Sequence, residues 1–223
     1  MERHFHREIE KLKSRILSLS AYVEDNVLRA VKSVKARDTE IAKAVLAGDR
    51  TIDAMEVELE EECLKILTLH QPLAADLRLL VALLKINNDL ERIGDLAVNI
   101  AVQAFLLPAK ETKPLPFDLT EMTEKVRTML RKSLDALVEL DIPMAREVLS
   151  SDDEIDDLNR ATFDMVKKTV LEDPNTIDEC LCYLMVSRGL ERIADHATNI
   201  AEDVIYMTHG EIVRHFRTKI PGE

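Results

Sequence analysis

The chain carries the same motif twice. Residues 90–101 read L-E-R-I-G-D-L-A-V-N-I-A and residues 190–201 read L-E-R-I-A-D-H-A-T-N-I-A, with nine of twelve positions identical at an offset of 100. A second pair, D-T-E-I-A-K-A-V-L-A-G-D-R-T-I-D (38–53) and D-I-P-M-A-R-E-V-L-S-S-D-D-E-I-D (141–156), matches at seven of sixteen positions with an offset of 103. P-x-x-x-D follows in both halves, Pro72 to Asp76 and Pro174 to Asp178. Three blocks in the same order make the chain an internal duplication, so whatever one half folds into, the other repeats. The three-residue drift in offset falls between Asp53 and Glu91, and is expected at the turn before Pro72.

Each half reads as helix throughout. Aromatics are only 4% of the chain, and five Gly and seven Pro leave few turn signals among abundant Leu, Ala, Glu, Lys and Arg. Three of the prolines fall within residues 108–118, which cannot continue a helix and form a linker. The expected architecture is all-α: two tandem three-helix bundles, 1–107 and 119–223, joined by 108–118. Helices are predicted from about Phe5 to Ala36, Thr39 to Leu69 and Leu73 to Phe105, then Leu119 to Val138, Met144 to Leu171 and Asn175 to Met207. Gly48 is expected to interrupt the second helix, and Pro72 to open the third, where a missing N–H costs nothing.

The third helix of each copy has an apolar seam, Leu79, Leu83, Ile86, Leu90, Ile93, Ala97, Ile100 and Ala104 in the first and Val186, Leu190, Ile193, Ala197, Ile200 and Val204 in the second. Glu91, Asp95 and Asn99 recur every four residues on the side away from that seam, and Glu191, Asp195 and Asn199 repeat them. The second helices add Asp49 and Asp53, matched by Asp152 and Asp156, with Glu56 and Glu60 on the same flank. Each copy thus holds two [D/E]-x-x-x-D pairs. Carboxylates one helical turn apart can hold a hard or borderline cation through oxygen. Without one, like charges at that spacing weaken a helix by a few tenths of a kcal/mol per pair. Core packing does not explain why both copies keep them. The competing reading is a solvated acidic face in which Arg92 and Arg192 neutralise Glu91 and Glu191. Asn99 and Asn199 are either outer ligands or surface hydrogen bonders, and His196, with Leu96 at its counterpart, has no evident metal role.

Several functions are disfavoured. A net charge of −12 without a basic stretch argues against nucleic acid. The charged start M-E-R-H-F-H-R-E lacks the apolar run of a signal peptide, and the strongest apolar stretch, Leu79 to Leu84, is far too short for a membrane span. Cys63, Cys180 and Cys182 have no ligand or disulfide spacing; Cys63 reads as core and the other two as helix surface, suiting a reducing cytoplasm. No Walker loop, Glu-x-x-His pair or nucleophile motif occurs.

The blocks D-x-x-I-D, H-Q-P-L-A-A-D-L-R (70–78), L-E-R-I-G-D-x-A-x-N-I-A and L-E-R-I-A-D-H-A-T-N-I-A-E-D-V-I-Y together resemble the PhoU family of phosphate-uptake regulators. The resemblance implies paired three-helix bundles, no catalysis, and metal clusters at surface E(D)-x-x-x-D motifs, with iron foremost and zinc, manganese, magnesium or nickel as alternatives. Carried onto this chain, the metal positions are Asp49, Asp53, Glu91 and Asp95, then Asp152, Asp156, Glu191 and Asp195, with Glu56, Glu60, Asn99 and Asn199 as outer candidates. Asn159 and Phe163 stand where copy one has Glu56 and Glu60, so the second site is expected to be poorer in ligands. The resemblance further implies a cytoplasmic regulator that contacts the phosphate ABC transporter ATPase and a sensor histidine kinase; a homodimer is also expected. A metal-free helical adaptor of another pathway and a carboxylate-bound metalloenzyme are the alternatives.

Overall fold

The computed structural model describes residues 2–108 and 116–210. Six α-helices occupy them: α1 (Glu2–Ala36), α2 (Thr39–His70), α3 (Ala75–Leu106), α4 (Thr120–Glu139), α5 (Ile142–Glu172) and α6 (Ile177–His209). A single 3-10 turn, Pro174–Thr176, precedes α6, and no strand occurs among the described residues. α1, α2 and α3 pack on one another, as do α4, α5 and α6, and the two bundles meet chiefly along α3 and α6. Residues 109–115 of the expected linker lie outside the described residues.

α1 shows how the bundles are encoded. Phe5, Ile9, Leu12, Ile16, Leu19, Val23, Val27, Ala30 and Val34 recur at steps of three and four and are all buried. That spacing keeps one stripe of a helix facing its neighbours along its whole length. α4 is much shorter, 20 residues against 35, so the first turns of α1 have no partner in the second copy.

The first connection in each copy is built twice from the same parts. Arg37 (φ 51°) and Leu140 (φ 54°) take the left-handed conformation that ends α1 and α4. The next residue's N–H bonds back five positions, Asp38 to the Ser33 carbonyl at 2.8 Å and Asp141 to the Ala136 carbonyl at 3.0 Å. The same aspartates then cap the following helices: Asp38 Oδ1 accepts from the Glu40 and Ile41 N–H groups, and Asp141 Oδ1 from that of Met144.

The second connections differ, and here three expectations need correction. α2 runs unbroken through Gly48, whose missing side chain instead admits Asn26: a Cβ there would lie 2.8 Å from Asn26 Oδ1. Pro72 does not open α3. It lies in the link between α2 and α3, with Gln71 (φ 45°) and Ala74 (φ 50°) turning the chain, and the helix begins only at Ala75. Because α3 and α6 are themselves continuous, the drift in offset is absorbed across this whole connection and not only before the proline. Asp76 and Asp178 match as first-turn acids of their helices, a charge favoured at a helix N-terminus.

A further correction concerns α3 and α6. Beyond the expected seams, Leu80, Ala82, Leu96 and Ala101 of α3 and Ala194, Ala201 and Ile205 of α6 are also buried. Each of these helices is enclosed on two sides, by its own bundle and by the other. For the same reason Cys180 and Cys182 are both buried, as is Cys63, and none is a surface thiol.

α3 and α6 cross antiparallel. Ile100 meets Gly189, Asp89 meets His196 and Asn199, and Lys85 meets Asp203. A Cβ on Gly189 would fall 2.7 Å from Ile100 Cγ1, so glycine there sets how closely the helices approach. The polar fastening lies nearby. His196 Nδ1 is 2.8 Å from Asp89 Oδ1, Asn199 Nδ2 donates to the same oxygen at 3.3 Å, and Lys85 Nζ donates to the buried Asp203 at 3.2 Å. His196, without a role at the level of sequence, thus serves to join the halves.

Replacing either cap, Asp38→Ala or Asp141→Ala, is expected to cost about 1 kcal/mol in chemical denaturation with the denaturant slope unchanged. The two sites are far apart and share no partner, so the double variant should lose roughly the sum.

Candidate functional site

The first acidic constellation lies in the groove between α2 and α3. Gly94 makes the groove narrow: a Cβ there would sit 3.2 Å from Ile52 Cδ1 and Cγ2 and 3.4 Å from Asp49 Oδ1. Ala194 stands at the same place in the second copy. Asp49, Glu56, Glu91 and Asp95 are half-buried, while Asp53, Glu60 and Asn99 are exposed. None of these residues lies in the core. α6 covers one side of α3, and the acidic residues occupy the strip it leaves beside α2.

Charge is crowded across this groove. Partial burial, and then the charges of Asp53 and Asp95, raise Asp49 above the ordinary aspartate range. Glu91 is raised by burial first, then by Asp95, Glu56 and Asp53, with Arg92 opposing. Glu56 is raised by burial and by Glu60 and Asp53. The two helices thus place their carboxylates in one shared field, as the paired motifs imply. Arg92 spans the outer edge, its Nη1 3.1 Å from Asp95 Oδ2 and its Nε 3.4 Å from Glu91 Oε2. That last contact is an ion pair without hydrogen-bond geometry, and Glu91 Oε2 is a buried oxygen with no hydrogen-bond partner.

Asn87 is a member of this site that the acid spacing does not reveal. Its Nδ2 donates to the Glu56 carbonyl at 2.9 Å and to Glu56 Oε1 at 3.1 Å, fixing that side chain against the groove. The available signal was an amide one turn before Glu91 on a helix whose other buried positions are apolar but for Asp89 and Gln103.

The second copy repeats the plan with fewer carboxylates. Burial and then Asp195, Asp156 and Asp152 raise Glu191, with Arg188 opposing; burial and then Asp156 raise Asp195, against His196 and Arg192. Asn159, in place of Glu56, accepts a hydrogen bond from Ser187 Oγ at 2.8 Å, so a neutral pair replaces Asn87 and its carboxylate. Phe163, in place of Glu60, is exposed. Asn199 is turned to Asp89 at the junction of the bundles. In neither copy do three carboxylate oxygens converge on one point. Among the described residues the one group of three ligand atoms within 4.8 Å of one another is His4, Glu8 and His70.

The model of the PhoU domain matches residues 16–104 and again residues 119–204, once in each copy. The phosphate-specific transport system accessory protein PhoU homolog of Aquifex aeolicus (strain VF5) is 38% identical over 97% of this chain and 98% of its own length. The homolog from Pseudomonas putida is 36% identical over 98% of this chain and 86% of its own. Among solved structures, PhoU from Pseudomonas aeruginosa superposes with a TM-score of 0.87 at 36% identity, covering 93% of this chain and all (100%) of that one. The phosphate transport system regulatory protein PhoU from Streptococcus pneumoniae gives 0.84 at 27% identity, over 94% and 99%.

The crowding has a testable consequence. A carboxylate whose folded-state pKa is raised binds its proton more tightly in the folded chain than in the unfolded one. Its contribution to stability therefore grows as pH falls through the folded value and levels off below the unfolded one. Glu91→Gln is expected to stabilise the metal-free protein at pH 7 by roughly 0.5 kcal/mol, by removing like-charge repulsion at one-turn spacing and across the groove. It should also flatten the rise in stability as pH falls from 7 to about 4, just below the ordinary glutamate value. Thermal denaturation of both forms across that range checks the sign.

Proposed function

The chain belongs to the PhoU family, and on that premise we propose that it is a non-enzymatic cytoplasmic regulator of phosphate uptake and phosphate-starvation signalling. The observation that carries this reading is the extent of the match. Relatives named as accessory proteins of the phosphate-specific transport system align with it from end to end, through both copies. Regulation would proceed by binding the ATPase of the phosphate transporter and a sensor histidine kinase, with the protein acting as a homodimer.

Two physical features support a protein-binding role. No described helix is long and apolar enough to cross a membrane, so contact with a membrane transporter would run through its extramembrane parts. Ile177, Leu181 and Met185 repeat every four residues on α6 and are all exposed, with Leu171 at the end of α5 more exposed still. Apolar side chains aligned along one helix are suited to a partner helix.

The acidic grooves are proposed as metal sites of the regulator. An all-oxygen donor set, half-buried but for the exposed Asp53 and Asp195, suits a hard or borderline cation, iron foremost, with zinc, manganese, magnesium or nickel also accommodated. The buried Glu91 Oε2 without a hydrogen-bond donor fits that reading, since a cation would supply the missing partner. Asp49, Asp53, Glu91 and Asp95 would hold the ion in copy one, and Asp152, Asp156, Glu191 and Asp195 in copy two. The bound charge would replace mutual repulsion with attraction and stiffen the α2/α3 and α5/α6 seams.

In a strain lacking this protein, phosphate-starvation genes should be expressed in phosphate-rich medium. Continued repression, together with no detectable binding to transporter or kinase, would overturn the regulatory reading. For the metal, elemental analysis of purified protein should show ions that are lost in a Glu91→Ala/Asp95→Ala variant of unchanged helicity. Equal metal content in both forms would place the ion outside this groove, and no metal in either would leave Arg92 as the neutralising partner and the protein a metal-free adaptor.

A further inference from the structure

The first turns of α1 break the duplication. With copy two offset by 103 residues, the start of α4 at Thr120 corresponds to Leu17, so Glu2–Ile16 has no counterpart, and the family model begins its match only at residue 16. This extension lies along the C-terminal end of α2. There His4 and Glu8, one turn apart on α1, meet His70, the last residue of α2.

The geometry of the three side chains is specific. His4 Nδ1 lies 3.4 Å from Glu8 Oε1, and His70 Nε2 lies 2.6 Å from Glu8 Oε2. The two imidazoles therefore flank the two oxygens of one carboxylate, with ring centroids 6.0 Å apart. Phe5 packs edge-on against His70 at 5.3 Å and holds that ring in place. Glu8 is 7% exposed, whereas the His4 side chain is 73% exposed and opens the cluster to solvent. Lys65 also acts on Glu8 but is itself paired with Glu62.

Charge balance alone needs less than this. One imidazolium satisfies a buried carboxylate, and a second ring at its other oxygen is surplus to an ion pair. Two nitrogens and one oxygen are, however, a common ligand set for a borderline divalent cation, with water at the solvent-facing position. Around a tetrahedral zinc with bonds of about 2.0–2.2 Å, adjacent ligand atoms stand roughly 3.3 Å apart. The His4 Nδ1–Glu8 Oε1 separation of 3.4 Å already matches, and since the ligand atoms of all three side chains lie within 4.8 Å of one another, closing round one ion takes side-chain shifts of about 1–2 Å.

We propose that His4, Glu8 and His70 form a binding site for a borderline divalent cation such as Zn²⁺, which clips the N-terminal extension of α1 to the end of α2. The site is chemically distinct from the carboxylate grooves and stands whether or not they hold metal. It would act as a staple, fixing a segment that the repeated bundle does not itself require.

Histidine ring ¹⁵N resonances of the full-length protein, followed during Zn²⁺ titration, test this directly. The His4 and His70 signals should shift with one equivalent per chain while those of His196 and His209 stay in place. His70→Ala and Glu8→Gln should each weaken zinc binding at this site at least tenfold, whereas Glu91→Gln/Asp95→Asn should leave it unchanged. Rings of His4 and His70 that do not respond to Zn²⁺ at about 100 µM, within the usual range for a specific site, would overturn the proposal. This readout uses the unmodified chain, so it decides the matter even where a variant fails to fold.

Discussion

The antiparallel contact between α3 and α6 governs much of the remaining structure. Two three-helix bundles could each bury one stripe per helix and remain separate bodies. Here the third helix of each is pressed against the third helix of the other, with Gly189 admitting Ile100. The duplication gives the contact approximate two-fold character: each helix presents equivalent residues to the other in reversed order, as in a symmetric dimer interface. A helix covered on two sides has only a narrow strip for polar residues. On α3 that strip lies beside α2, where Glu91 and Asp95 stand.

The symmetry is imperfect where polarity enters. Asp89 is the counterpart of Gly189, and it takes His196 and Asn199 as partners across the junction. A buried carboxylate is costly unless paired, so one half supplies the acid and the other the imidazole and amide. Such an asymmetric polar pair ties the two halves in one register, while apolar surfaces alone would tolerate sliding. The neighbouring Lys85–Asp203 bridge acts the same way.

The acidic grooves stand in tension with the fold that holds them. Burial and like charge both disfavour ionised Asp49 and Glu91, and Arg92, on the solvent side, partly offsets this at Glu91 alone. Groups kept at a cost to stability, at equivalent places in two copies, are where local folding rules and function are expected to part company. Between the copies the tension differs. Asn87 holds the carboxylate of Glu56, whereas Ser187 bonds the neutral amide of Asn159, so the copy-one groove keeps a carboxylate where the copy-two groove has an amide.

Much of this was legible in the sequence, because its determinants are local. The three-and-four spacing of α1, the Asp38 and Asp141 caps and the repeated acid pairs all act over a turn or two of chain. They specify helices, their starts and the faces of the acids without reference to anything distant. What the tertiary structure decided was which additional faces would be covered. Nothing within α6 marks Cys180 and Cys182 as buried, or His196 as the partner of Asp89, since both follow from where another helix comes to rest. The convergence of His4, Glu8 and His70 is of the same kind, for 62 residues separate Glu8 from His70. Periodicity carries the conformation of a segment, but contact across such a separation depends on how helices pack, and only the assembled chain determines that.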